Sequence, residues 1–135
     1  MIKKTITFED FNGETRTENF YFHLSEAELL EMEASMKGGL STFATAIANS
    51  DNIEELIKLF KKLVLMAYGV KSDDGRRFIK NDDVRQEFTE TNAYSQLFME
   101  LATNSEKALE FFNGVIPKDL DKKVEKLLSK NLKTI

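Results

Sequence analysis

The chain has 135 residues, of which 41% are hydrophobic and 31% charged, with a net charge of −4. That is a globular composition with material for one core and too little for two. The absence of cysteine excludes disulfide scaffolds, thiolate zinc sites and cysteine nucleophiles; one histidine, His23, cannot build a His-rich metal site; and the negative balance argues against a bulk electrostatic nucleic-acid binder.

The first 24 residues read as a β-hairpin. Ile2, Ile6 and Phe8 alternate with polar residues, and Phe20, Phe22 and Leu24 repeat the pattern after a polar stretch. Within that stretch, Asn12-Gly13 predicts a type I′ turn, because both residues tolerate positive φ. Ser25-Glu26-Ala27-Glu28 is a capping box that opens a helix carrying Leu29, Leu30, Met32 and Met36. Gly38-Gly39 predicts its stop, and a short helix is expected from about Ser41 to Ala48.

Asp51 is the expected cap of the strongest element. Ile53, Leu56, Ile57, Phe60, Leu63, Val64, Ala67 and Tyr68 fall on one face of a 3.6-residue period. This is the expected central helix, with Gly69 as its stop. Asp73-Asp74-Gly75, flanked by Val70 and by Phe78-Ile79, predicts a second small hairpin near residues 70–80. Asn81 is placed to cap a helix beginning at Asp82-Asp83 and burying Val84 and Phe88. Another helix is expected from Asn92 to Ala102, and a further one from a Ser105 cap through Phe112, closed by Gly114 and Pro117. Lys118–Ile135 carries a charge of +3 against −7 for the rest, with a weak stripe of Val124, Leu127 and Leu128. The expected architecture is α+β: an N-terminal hairpin packed on a bundle of about five helices over residues 1–117, followed by a basic tail, partly helical or mobile, over 118–135.

The candidate chemistry is thin. His23 has no positioned acid or base beyond Glu26 and Glu28, which capping explains. Asp73-Asp74-Gly75 lacks the alternating oxygens and terminal Glu of a calcium loop and reads as a turn. Arg76-Arg77 with Lys71 and Lys80 is the only basic cluster of the body, and four nearby aspartates nearly cancel it. There is no phosphate loop and no nucleophile elbow. No residue qualifies as catalytic, cofactor-binding or metal-ligating; no cofactor and no nucleic-acid partner are expected. No apolar run approaches the roughly 20 residues of a membrane span, and the start alternates instead of forming a signal peptide, so a soluble cytoplasmic protein is expected with no membrane partner. The many Phe and Met side chains are mostly core, with some expected to line an adaptable groove.

Four blocks carry a likeness to a known family. They are Phe8-Glu9-Asp10-Phe11-Asn12-Gly13, Ala67-Tyr68-Gly69-Val70-Lys71-Ser72-Asp73-Asp74-Gly75-Arg76-Arg77-Phe78, Tyr94-Ser95-Gln96-Leu97-Phe98-Met99-Glu100-Leu101, and Phe111-Phe112-Asn113-Gly114-Val115-Ile116-Pro117. In order and spacing, over about residues 2–120, the chain resembles the tail assembly chaperones of long-tailed, siphovirus-type phages or prophages of Gram-positive bacteria. The resemblance implies a non-enzymatic factor in the cytoplasm of the infected host. It would bind and solubilise the tape measure protein during tail morphogenesis and be absent from the mature virion. A frameshifted longer form of the chain, the tail tube protein and a homo-oligomer are further partner candidates. The alternative expectation is a small nucleic-acid-binding or regulatory phage protein.

Overall fold

The computed structural model describes residues 1–35 and 53–115. The expected Gly38-Gly39 stop, the short helix at 41–48, the Asp51 cap and the tail at 118–135 lie outside them, as do the side chains of Ile53 and Leu56.

Strands β1 (Ile2–Glu9) and β2 (Thr15–Phe22) form the predicted hairpin, with Ile2 opposite Phe22 and Glu9 opposite Thr15. Period-2 alternation sends Ile6, Phe8, Phe20 and Phe22 into the core. The odd residues form a polar outer face, where Thr5 Oγ1 donates to Asn19 Oδ1 at 2.7 Å and the Thr7 and Thr17 hydroxyls meet at 2.9 Å. The turn differs from the expected two-residue type. Asp10 N–H donates to Glu14 O at 2.8 Å, so three residues close the loop, and Gly13 takes the positive φ of 81°. The Asp10 side chain, more than the Asn-Gly pair, organises it. Its Oδ1 accepts from the N–H groups of Asn12 and Glu14, and its Oδ2 from Arg16 Nε at 2.7 Å.

Helix α1 (Glu26–Ser35) begins with the predicted capping box: Glu28 N–H donates to Ser25 Oγ at 3.1 Å and Ser25 N–H to Glu28 Oε1 at 3.0 Å. Helix α2 (Ile53–Ala67) buries Phe60, Leu63, Val64 and Ala67, the expected face, while Ile57 stays exposed.

The chain then enters β3 (Tyr68–Lys71) without a stop, and β3 pairs with β4 (Phe78–Ile79) in the predicted second hairpin. Gly69 lies inside β3 because the Phe78 ring occupies its space: a Cβ there would come within 2.6 Å of it. The hairpin is not separate. Tyr21 faces Gly69 and Phe22 faces Tyr68, giving one antiparallel sheet in the order β1-β2-β3-β4.

Helices α3 (Asp82–Thr89), α4 (Asn92–Thr103) and α5 (Ser105–Val115) follow. Asn81 caps α3 as predicted, accepting from Val84 N–H at 2.8 Å, and Thr91 caps α4. Asn104 supplies a cap of α5, accepting from Lys107 N–H at 3.2 Å, and Ser105 is the first residue of the helix. Helix α5 runs through Gly114, against which the Ile2 side chain packs, so that glycine permits close approach and is not a stop. The aromatic contacts of the core converge on Phe22 and Phe88 more than on α2. Phe22 meets Phe111 at 5.1 Å, and Tyr68 stacks on Phe88 at 4.1 Å.

Candidate functional site

The densest polar cluster lies around Lys80, at the end of β4. Its ammonium donates to His23 O at 2.6 Å, Met66 O at 2.8 Å and both Glu28 carboxylate oxygens at 3.0 and 2.8 Å. One cation thus joins the end of β2, the first turn of α1 and the last turn of α2. The Met66 carbonyl is one of the groups a helix C-terminus leaves unpaired, where positive charge is favoured. Burial raises the Glu28 pKa, but hydrogen bonds from Lys80 and Ser25 outweigh it and the net shift is downward. For Lys80, burial lowers the pKa and Glu28 recovers only part of the loss. The pair therefore satisfies an ammonium that the fold has already enclosed. Lys80 is accordingly withdrawn from the basic cluster seen in sequence, while Arg76 and Arg77 remain exposed and Lys71 lies over the Tyr21 ring at 4.7 Å.

His23 sits beside this cluster, its ring nearly perpendicular to that of Phe78 with centroids 6.2 Å apart. Its Nδ1 is buried and has no hydrogen-bond partner. Burial, then the N-terminal amino group and Lys80, lower its pKa, while Glu28 opposes them. The downward shift favours the neutral imidazole, and the ring packs against Phe78. Asp73-Asp74-Gly75 forms the turn expected of it, with Asp74 accepting from Ser72 Oγ and Arg76 N–H. Among the described residues, no group of three or more His, Asp or Glu is placed to hold a metal ion.

The tip of the first hairpin is different. Phe11 is 80% exposed, on a loop fixed by the Asp10 hydrogen bonds. Beside it lies a concavity of about 320 Å³ whose lining includes Phe8, Phe11, Arg16, Glu18, Glu90 and Asn92. Asn92 Nδ2 donates to Glu9 O at 2.8 Å and ties the start of α4 to the hairpin. Arg16 answers Asp10, whose pKa its hydrogen bond lowers, assisted by the Glu14 and Asn12 N–H groups. Glu18 and Glu90 have no ion-pair partner among the described residues, so the rim is acidic. An aromatic ring held in solvent above an acidic hollow can contact an apolar segment that carries basic residues.

The expected open Phe-Met groove is thereby narrowed. Phe20, Phe22, Phe60, Phe88, Phe111, Phe112 and Met32 are buried, and of the described Phe and internal Met side chains Phe11 and Met99 are largely exposed. In the sequence Phe11 falls in the polar stretch between the two strands. The available signal was an aromatic residue inside a polar loop, where strand alternation cannot bury it.

A family model described as phage tail assembly chaperone matches residues 1–133. The chain belongs to the phage tail assembly chaperone family. No curated protein and no solved structure gives a significant match. For a tail assembly chaperone the relevant surface is one that meets other tail proteins, which directs attention to the Phe11 hollow and away from the enclosed Lys80 cluster. No described helix is long and apolar enough to cross a membrane.

Proposed function

We propose that the chain is a non-enzymatic chaperone of the tape measure protein. It keeps that protein soluble in the cytoplasm of an infected Gram-positive host during assembly of a siphovirus-type tail, and it is left out of the mature virion. The observation that carries this reading is the family match over residues 1–133. The physics agrees with it. A long amphipathic helix exposes an apolar stripe that needs reversible cover. Many weak contacts along one helix give avidity and still release one at a time. Release needs no nucleotide if the growing tube competes for the same stripe. The longer frameshifted form of the chain and the tail tube protein are the further partners. Residues 1–117 act as one α+β domain, and the basic segment 118–135 is an appendage.

The test is co-expression of the tagged chain with fragments that tile the tape measure protein of the same phage, followed by pull-down. The chain captures fragments, and Phe11→Ala or Glu90→Lys reduces capture while thermal melts stay unchanged. Capture of no fragment refutes the function; full capture by both variants refutes the contact surface alone.

A further inference from the structure

β1 is an outer strand of the sheet. The groups it presents on its outer side follow from antiparallel alternation. Asp10 N–H donates to Glu14 O, so this facing pair is a bonded one. Every second residue back along β1, namely Phe8, Ile6, Lys4 and Ile2, then bonds β2 in the same way. Lys3, Thr5, Thr7 and Glu9 must turn their N–H and C=O groups away from β2. The bond from Asn92 Nδ2 to the Glu9 carbonyl agrees with this. For Lys3, Thr5 and Thr7, no described residue pairs with these backbone groups. The strand runs eight residues without a bulge or proline, so little but Lys3 and Lys4 blunts it.

We infer that β1 pairs antiparallel with β1 of a second copy of this chain, about a two-fold axis through Ile6. Only registers that set odd residues against odd residues can form bonded pairs along this edge. Among the two-fold ones, the axis through Ile6 places Thr5 against Thr7 of the second copy, where no described residue holds the backbone groups, and Lys3 against Glu9 of the second copy, each twice by symmetry. At Lys3 and Glu9 it is the side chains that meet, because Asn92 already holds the Glu9 carbonyl. Lys3 and Glu9 are both exposed, and neither has an ion-pair partner among the described residues. An axis through Thr5 sets Lys3 against Thr7, and one through Thr7 sets it beyond the strand; neither pairs Lys3 with an acid. The parity also matches the faces. Thr and charged side chains meet on the outer face, and Ile6 meets Ile6 on the face that carries the helices. The two four-stranded sheets thereby join into one, with both helix layers on the same side. The unpaired part of β2, Thr15–Asn19, is the competing edge, but it is shorter and the β3 pairing at Tyr21 closes one end. This pairing does not depend on the identity of the tail partner.

The test is sedimentation analysis of the full chain over a concentration series. Thr5→Pro and Thr17→Pro are matched variants. Each removes one outward N–H and one cross-strand hydroxyl contact, and only the first blocks the β1 edge. The unaltered chain and Thr17→Pro form dimers with rising concentration, and Thr5→Pro stays monomeric. Lys3→Glu and Glu9→Lys each weaken dimerisation about tenfold, since two facing pairs become repulsive, and the double variant restores it. If circular dichroism shows that a proline variant is unfolded, the charge-reversal set decides. A wild-type chain monomeric throughout, assembly that survives Thr5→Pro, assembly lost only with Thr17→Pro, or no recovery in the double variant overturns the proposal.

Discussion

Replacing Lys80 by Met keeps a four-atom apolar stem and removes the ammonium. Two part-buried carbonyls, His23 O and Met66 O, then lose a donor that stood at 2.6 and 2.8 Å. Leaving a buried acceptor unsatisfied costs about 1–3 kcal/mol. The Lys80 side chain is 11% exposed, so water reaches these carbonyls poorly, and about 2–4 kcal/mol is expected for the pair. Glu28 contributes less to that loss. Its side chain is 36% exposed, so solvent takes over much of the role of the ammonium. Glu28→Gln retains an oxygen for the Ser25 N–H and should lose only about 1 kcal/mol. Urea melts with unchanged slopes measure both. The expected order is a large loss for Lys80→Met and a small one for Glu28→Gln. A loss below about 1 kcal/mol for Lys80→Met, or equal losses for the two, would refute the claim that the carbonyl contacts dominate.

His23 has a lowered native pKa, so the unfolded chain binds more protons than the folded one below the ordinary histidine value of 6.5. The stability it lends is complete above that pH and falls away as pH drops toward the native value; His23→Ala should flatten this slope in pH-dependent melts and leave tape measure capture unchanged. Phe60 is 1% exposed, so Phe60→Ala should destabilise by about 3–5 kcal/mol in urea, and a loss below about 1 kcal/mol would remove α2 from the core. The buried anchors Phe111, Phe112 and Val115 precede the basic tail, so a chain ending at Asp119 should melt within about 10 °C of the full chain; a larger drop would make the tail part of the core.

What sequence reading recovered was set by local rules. The hairpin alternation, the Ser25 capping box, the Phe60–Ala67 part of the α2 face and the Asn81 cap each depend on residues a few positions apart, and all stand in the structure. The pairing of β2 with β3 depends on Tyr21 and Phe22 meeting Tyr68 and Gly69 across a stretch that contains α1 and α2, which no local period records. Tyr68 fitted the helical face of α2 and was counted there, yet the sheet claims it. Gly69 and Gly114 look like helix stops because that is where glycine usually serves. Here each makes room for a side chain, Phe78 or Ile2, brought from elsewhere in the chain. Lys80 looked like one of four surface cations because its three acceptor groups lie at distant positions, and only the fold assembles them. Phe11 was legible as a residue and illegible as a surface, since exposure is decided by what the rest of the chain leaves uncovered.

The His23 N–H donates to Ala67 O at 2.8 Å, so the chain leaves the sheet at His23 and returns to it beside its point of departure. Everything between, including α1 and α2, is an excursion with adjoining ends. The entropy of closing such a loop grows only logarithmically, and even doubling its length adds about 0.6 kcal/mol. A polar insertion between α1 and α2 should therefore leave the strand order intact. The Phe11 hollow and the β1 edge are built from residues outside that excursion and should keep their shape.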